Sequence, residues 1–189
     1  MRLHFTFLFC FILGFSQSQT KNEVEKRVNT EDVPSDIIED LNLHVKKIDK
    51  VKWYFQTDGK KNVYEGKFKQ HSQKYSVEFD TLGKIANVEV IIKKREIPND
   101  IFENISNKLK DTFKGYKIEK IQREYLGNEE LLEVISHKKS NTDLKIRYEI
   151  LVNAKIENYR KLFEILFDSK GHIISKREVI LQSTDILDY

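Results

Sequence analysis

Apolar residues recur along the chain with two alternating periods. Ile37, Ile38, Leu41, Val45 and Ile48 line one side of a stretch with helical period, and Ile101, Phe102, Ile105, Leu109 and Phe113 line another. A proline precedes each stretch, in Val33-Pro34-Ser35-Asp36 and in Ile97-Pro98-Asn99-Asp100. Ser35 and Asn99 suit the capping of a helix N-terminus, and the aspartate that follows complements the helix dipole. Two amphipathic helices are predicted, each packing its stripe into a core.

After each helix the period shortens to two. Val51, Trp53 and Phe55 alternate with Lys52, Tyr54 and Gln56, and Asp58-Gly59 then signals a turn. Further strands are predicted over 62–69, 74–80 and 86–92. The second half repeats the order: Tyr116, Ile118 and Ile121, then Leu144, Ile146, Tyr148, Ile150 and Val152, then 160–168 and 172–181. Phe79-Asp80-Thr81-Leu82-Gly83-Lys84-Ile85 matches Phe167-Asp168-Ser169-Lys170-Gly171-His172-Ile173, and Tyr64-Glu65 matches Tyr148-Glu149. Asp opens each turn and Gly takes the positive φ that other residues resist.

Strands joined by such short turns are antiparallel. The expected fold is therefore α+β: a tandem repeat of a helix packed on a four-stranded antiparallel sheet. The first repeat spans 33–96 and the second 97–181, with an insertion near 126–142 and a tail over 182–189. Leu131, Leu132 and Ile135 give the insertion helical spacing, while Val134-Ile135 leaves a strand open. One unit of this size buries a marginal core, so the copies are expected to pack together or to share an extended sheet.

The N-terminus departs from both periods. Arg2 precedes a nearly unbroken apolar run from Leu3 to Phe15, and Ser16-Gln17-Ser18 places small residues before Gln19. Residues 1–18 read as a signal peptide cut after Ser18, because the run is shorter than the roughly 20 residues of a membrane span. A retained anchor is the alternative. Residues 19–32 are polar and read as a disordered leader. The mature chain is expected in the periplasm or secreted.

Composition narrows the chemistry. Of 189 residues, 39% are hydrophobic and 33% charged, with a formal charge of +3 and both signs interspersed. No basic block marks a nucleic-acid partner. The single cysteine, Cys10, lies in the apolar run behind Phe9, which excludes lipidation, a mature disulfide and a thiol nucleophile.

A Pro-led helix, an aromatic first strand, a Tyr-Glu strand and a hairpin of the form Glu-Phe-Asp-x-x-Gly-[Lys/His]-Ile together resemble the PepSY-like, β-lactamase-inhibitor-like family of exported bacterial proteins, common in Bacteroidetes. The resemblance covers about residues 33 to 181; the second copy departs from it through the insertion and through Ile118 near the expected place of Trp53. It implies a tandem architecture similar to the β-lactamase inhibitory protein, which grips an enzyme with open sheet faces, and a protein-binding or inhibitory role.

Catalytic signatures are missing. His44, His71, His137 and His172 lie at no metal-ligand spacing, and the glycines are too dispersed to cradle a phosphate. Glu65 and Glu78 could meet across strands as acid and base, but Lys52, Lys67 and Lys74 on the same face favour ion pairing. Asp80 and Asp168 fit hairpin turns; weak calcium binding there stays open. No enzyme activity and no cofactor are expected.

Alternation assigns two faces to each sheet. Val51, Trp53, Phe55, Phe68, Tyr75, Val77 and Phe79 are expected to meet the first helix. The open face supplies the candidate partner-binding residues Lys52, Tyr54, Gln56, Glu65, Lys67, Arg147, Glu149 and Leu151. Leu151, Leu162 and Leu166 either belong to an interface or are buried between the two copies. A periplasmic protein is the expected partner, with a small-ligand carrier of cystatin-like type, or a passive envelope protein, as the alternatives.

Overall fold

The computed structural model describes residues 19–21, 24–57, 61–127, 129–135 and 144–180, and for 19–21, 48, 129 and 130 the backbone alone. The expected signal peptide, the Asp58-Gly59 turn, the C-terminal tail and residues 128 and 136–142 of the insertion lie outside the described residues.

The chain forms β1 (Gln19–Lys21), β2 (Val24–Val28), α1 (Ser35–Asn42), β3 (Lys52–Thr57), β4 (Asn62–Gln70), β5 (Gln73–Asp80) and β6 (Ile85–Ile91). It continues through α2 (Asn99–Thr112), β7 (Tyr116–Leu126), β8 (Lys145–Ile156), β9 (Tyr159–Phe167) and β10 (Ile173–Val179). A short 3-10 segment, Glu129–Val134, stands where a helix or strand was left open. Residues 19–32, expected to be disordered, carry β1, β2 and a 3-10 turn at Thr30–Asp32.

Each helix begins at the predicted place but with a different cap. Pro34 and Pro98 hold the cap positions in extended conformation, with φ of −51° and −52°, and no side chain caps either helix. Ser35 and Asn99 are instead the first helical residues. The apolar stripes bury Ile37 and Leu41 from α1 and Ile105 and Leu109 from α2 completely.

All ten strands belong to one sheet, in the order β1-β10-β9-β8-β7-β6-β5-β4-β3-β2. The pairings are antiparallel except for that of β1 with β10. This corrects the expected tandem α+β repeat with a four-stranded sheet under each helix. Val88 faces Tyr125 and Ile91 faces Gln122, so β6 and β7 join what the sequence pattern separates. An unpaired β6 would present a row of unmet N–H and C=O groups, and β7 satisfies them. Among the described residues the fold is a β-rich single sheet with two α-helices.

Both helices pack on one face. Its residues follow the register Trp53–Gly66–Val77–Val88–Tyr125 and, further on, Ile150–Ile165. They form one continuous core with the helix stripes. Gly66 is required by Trp53: a Cβ there would stand 3.0 Å from the indole. The turn glycines abut the helices. Gly83 (φ 80°) presses on Asp36 of α1, and Gly171 (φ 82°) on the Ile101 carbonyl of α2.

The sheet curls strongly away from the helices. β1 and β2 lie at its opposite edges, yet only residues 22 and 23 separate them in sequence. Three Cα steps from Lys21 to Val24 reach at most about 11 Å. The two edges are therefore brought close together, and the face opposite the helices becomes the inside of a deep curve.

Candidate functional site

Strand alternation sends every second residue of β2 to β10 into this curve. The register aligns Glu65 with Glu78 and Asn87, and Ser76 with Glu89, Glu124 and Arg147. Further rows set Gln122 beside Glu149 and Leu166, and Leu151 beside Glu164 and Arg177. The result is a trough of about 350 Å³, lined from Glu25 of β2 at one edge to Arg177 of β10, the strand next to the other edge.

The trough is polar and much of it is withdrawn from water. Glu65, Glu124, Glu164 and Gln122 are 5–6% exposed and Asn87 is 8% exposed. Charges are met chiefly by neighbours across the strands. Lys67 reaches Glu25 and lies 3.2 Å from Glu65 Oε2, while Ser76 donates to the other Glu65 oxygen. Arg147 Nε and Nη2 donate to Glu124 Oε2 and Oε1, both at 2.6 Å. Arg177 pairs with Glu164. Asn87 Nδ2 donates to Glu78 Oε2 at 3.1 Å, and Gln122 Nε2 donates to Glu89.

Burial shifts these groups. Loss of water pushes the Glu65 carboxyl up to about 8 against the opposing pull of Lys67. Glu89 rises well above the carboxylate range, through burial and then through Glu149, Glu78, Glu65 and Glu124 around it. Lys67 is raised although burial opposes its charge, because Glu65 and Glu25 outweigh that effect. A carboxyl held protonated near neutrality is chemically able to donate a proton. Among the described residues that line the trough there is no histidine or cysteine. Among the described residues no three of His, Cys, Asp or Glu come together to hold a metal.

Five of the sequence-predicted residues, Gln56, Glu65, Lys67, Arg147 and Glu149, line the trough. Tyr54 shares their face but is 7% exposed, with the Lys67 ammonium 4.7 Å from its ring centre. Lys52 stands outside the trough, exposed and opposite Lys67. Leu151 is half-buried opposite Lys120 and Glu164, and Leu166 lines the trough itself. Sequence reasoning missed Asn87, Glu89, Gln122 and Glu124. Alternation within β6 and β7 carries that signal once the two strands are known to pair. The turn aspartates are occupied: Asp80 Oδ1 accepts from the backbone of Leu82 and Lys84, and Asp168 Oδ1 from Lys170 and His172, each at 2.9 Å.

A second concavity, about 680 Å³, runs beside α2 between Lys93, Lys94, Arg95 and Lys110, with Phe102 under the Lys94 ammonium. No helix among the described residues is long and apolar enough to cross a membrane.

No protein-family model matches the chain, and no curated protein matches it in sequence. In three dimensions it is similar to a DUF2874 family protein from Bacteroides uniformis, with a TM-score of 0.55 and 16% identity over 77% of this chain and 89% of that one. A DUF2874 family protein from Bacteroides ovatus gives 0.54 and 11% identity over 77% and 86%. A BLIP-like protein from Bacteroides fragilis gives 0.47 and 14% identity over 80% and 91%. The first two likenesses show a shared fold.

Proposed function

We propose that this chain is an exported binding module without chemistry of its own, whose curved sheet face receives a segment of a partner protein. The observation that carries the reading is the trough: a concave surface lined by residues from β2 to β10 and rich in paired charge. The opposite face is committed to the helices and the core, which leaves the curve as the presenting surface. The PepSY-like, β-lactamase-inhibitor-like resemblance of the sequence supports a protein partner. The apolar run before Gln19 supports export to the periplasm or beyond. A cystatin-like carrier would need an apolar pocket with a few polar groups, and the trough has the opposite balance.

Affinity capture from an envelope extract tests this, with the purified protein beside a Lys120→Glu/Leu166→Glu variant. Both substituted residues are half-buried in the trough lining, away from the ion pairs described above. One stoichiometric partner held by the wild type and lost by a variant with unchanged circular dichroism is the expected result. A partner retained equally by both would move the site off this face.

A further inference from the structure

The concavity beside α2 carries an excess of one charge. Asn99, Phe102, Ser106 and Lys110 recur at helical spacing beside the buried stripe of Ile105 and Leu109. Lys93, Lys94 and Arg95 close the groove from the 3-10 turn Lys94–Glu96 and the residue before it. The full lining sets these three cations and Lys110 against one carboxylate, Glu103. All four cations are exposed, and among the described residues none of them is held in an ion pair. Glu96 and Asp100 belong to the same stretch but not to the lining, and Glu96 Oε2 accepts the Lys93 backbone N–H at 2.8 Å.

The turn before α1 is built the same way without these cations. There the Asp32 N–H donates to the Asn29 carbonyl at 3.0 Å, the Val33 N–H to that of Thr30 at 3.2 Å, and the Asn29 N–H to Asp32 Oδ2 at 3.3 Å. Before α2 the Glu96 N–H donates to the Lys93 carbonyl at 2.9 Å, the Ile97 N–H to that of Lys94 at 3.1 Å, and the Lys93 N–H to Glu96 as given above. Asn29, Thr30 and Glu31 thus stand in one turn where Lys93, Lys94 and Arg95 stand in the other. The shared geometry uses the backbone and the acid at the last position. It leaves the three adjacent cations without a structural task in the turn.

A cleft lined by one sign of charge focuses its field on a ligand of the other sign. The cations are spread along the groove. Lys94 Nζ stands 4.4 Å from the Phe102 ring centre, and Lys110 follows Phe102 by about 12 Å along the helix axis. An extended peptide of about four residues covers that span, whereas one phosphate does not. Phe102 is half-buried and gives the floor an apolar area for the stems of acidic side chains. It lies beneath the Lys94 ammonium rather than projecting as a side chain that enters a bilayer would. We propose that the groove along α2 binds an acidic peptide segment of a partner protein, extended along the helix between Lys94 and Lys110. The groove shares no residue with the trough, and the proposal does not rest on the reading given to the trough.

Backbone amide signals of Ser106 and Asn107 in a 15N-labelled sample read the groove at physiological ionic strength. The probes are acetyl-pentaglutamate amide and its neutral counterpart, acetyl-pentaglutamine amide. The glutamate peptide is expected to shift both signals saturably and the glutamine peptide to leave them in place. Lys93→Asn/Lys94→Thr/Arg95→Glu installs the residues that the turn before α1 already carries, and is expected to weaken the glutamate peptide by about tenfold or more. Lys110→Gln serves as a second variant at an exposed helix position, with a smaller loss expected, and melting curves confirm that both variants fold. The trough variant Lys120→Glu/Leu166→Glu is expected to bind the glutamate peptide as the wild type does. No saturable shift, equal shifts from the two peptides, or undiminished binding by both groove variants would overturn the proposal. Loss of peptide binding in the trough variant alone would overturn it by moving the acidic ligand to the other face. Inorganic phosphate and phosphatidylglycerol vesicles are the remaining probes. Phosphate that matches the affinity of the peptide, or vesicles bound where the peptide is not, would replace the acidic segment with a point anion or a membrane surface and overturn the proposal.

Discussion

Arg147 grips Glu124 across the β7–β8 ladder through two bonds of 2.6 Å, with the carboxylate side chain 7% exposed and the guanidinium 24% exposed. The paired geometry holds a charge in a place where water cannot. Burial works against the Arg147 charge, and the bonds to Glu124 more than offset it.

Arg147→Ala is accordingly expected to destabilise the fold by about 3 kcal/mol, because it strands a buried carboxylate. The double variant Arg147→Met/Glu124→Met is expected to recover most of that loss. Urea unfolding of the two variants and the wild type checks both statements; equal stability of Arg147→Ala and wild type would remove the structural role assigned to the pair.

Stability is expected to fall as pH rises from about 4.5 to about 8. Glu65 has a folded value near 8 against an ordinary 4.5, so across this window the folded chain binds more protons than the unfolded one. Its favourable contribution is complete below the unfolded value and is lost as pH climbs through the folded one, with a slope on the order of 1 kcal/mol per pH unit for one group. Glu89 is shifted the same way and adds to the slope. Thermal melts of wild type and Glu65→Gln between pH 5 and 9 test this, with a flatter profile expected for the variant.

Gln70 ties three separate segments together. Its Nε2 donates to the carbonyls of His44 and Ile135, both at 3.1 Å, and its Oε1 accepts from the Lys46 amide at 2.9 Å. Gln70→Leu is expected to destabilise the protein by about 2 kcal/mol through these orphaned backbone groups. Hydrogen exchange is expected to accelerate at Lys46, with little change in β8 and β9. Unchanged exchange at Lys46 would show that the side chain does not secure the loop.

Strands and helices were legible where local alternation is strong. The pattern at Val51, Trp53 and Phe55 places β3 correctly, and the prolines place the starts of α1 and α2 to within a residue. β2 was not legible, because Val24-Glu25-Lys26-Arg27-Val28 has little apolar content and its extended form comes from pairing with β3. The single sheet was not legible either: whether β6 pairs with β7 is decided by contacts across α2, which neither strand encodes alone. The candidate face was half legible. Gln56, Glu65, Lys67, Arg147 and Glu149 follow from clean alternation, whereas Gln122 and Glu124 follow a register shift between Ile118 and Lys120 that changes the phase of β7.

The placement of β1 and β2 at opposite edges also sets an order in time. β2 finds its partner, β3, soon after it is made, but Gln19 pairs with Arg177, near the far end of the chain. Such a contact closes almost the longest loop that the polypeptide can form, and contacts of that kind are slow. The pairing of β1 with β10 is therefore expected to be the last part of the sheet to form. Until β10 is made and in place, a newly synthesised chain keeps its curve unlatched, and the first residues of the sheet wait for the last.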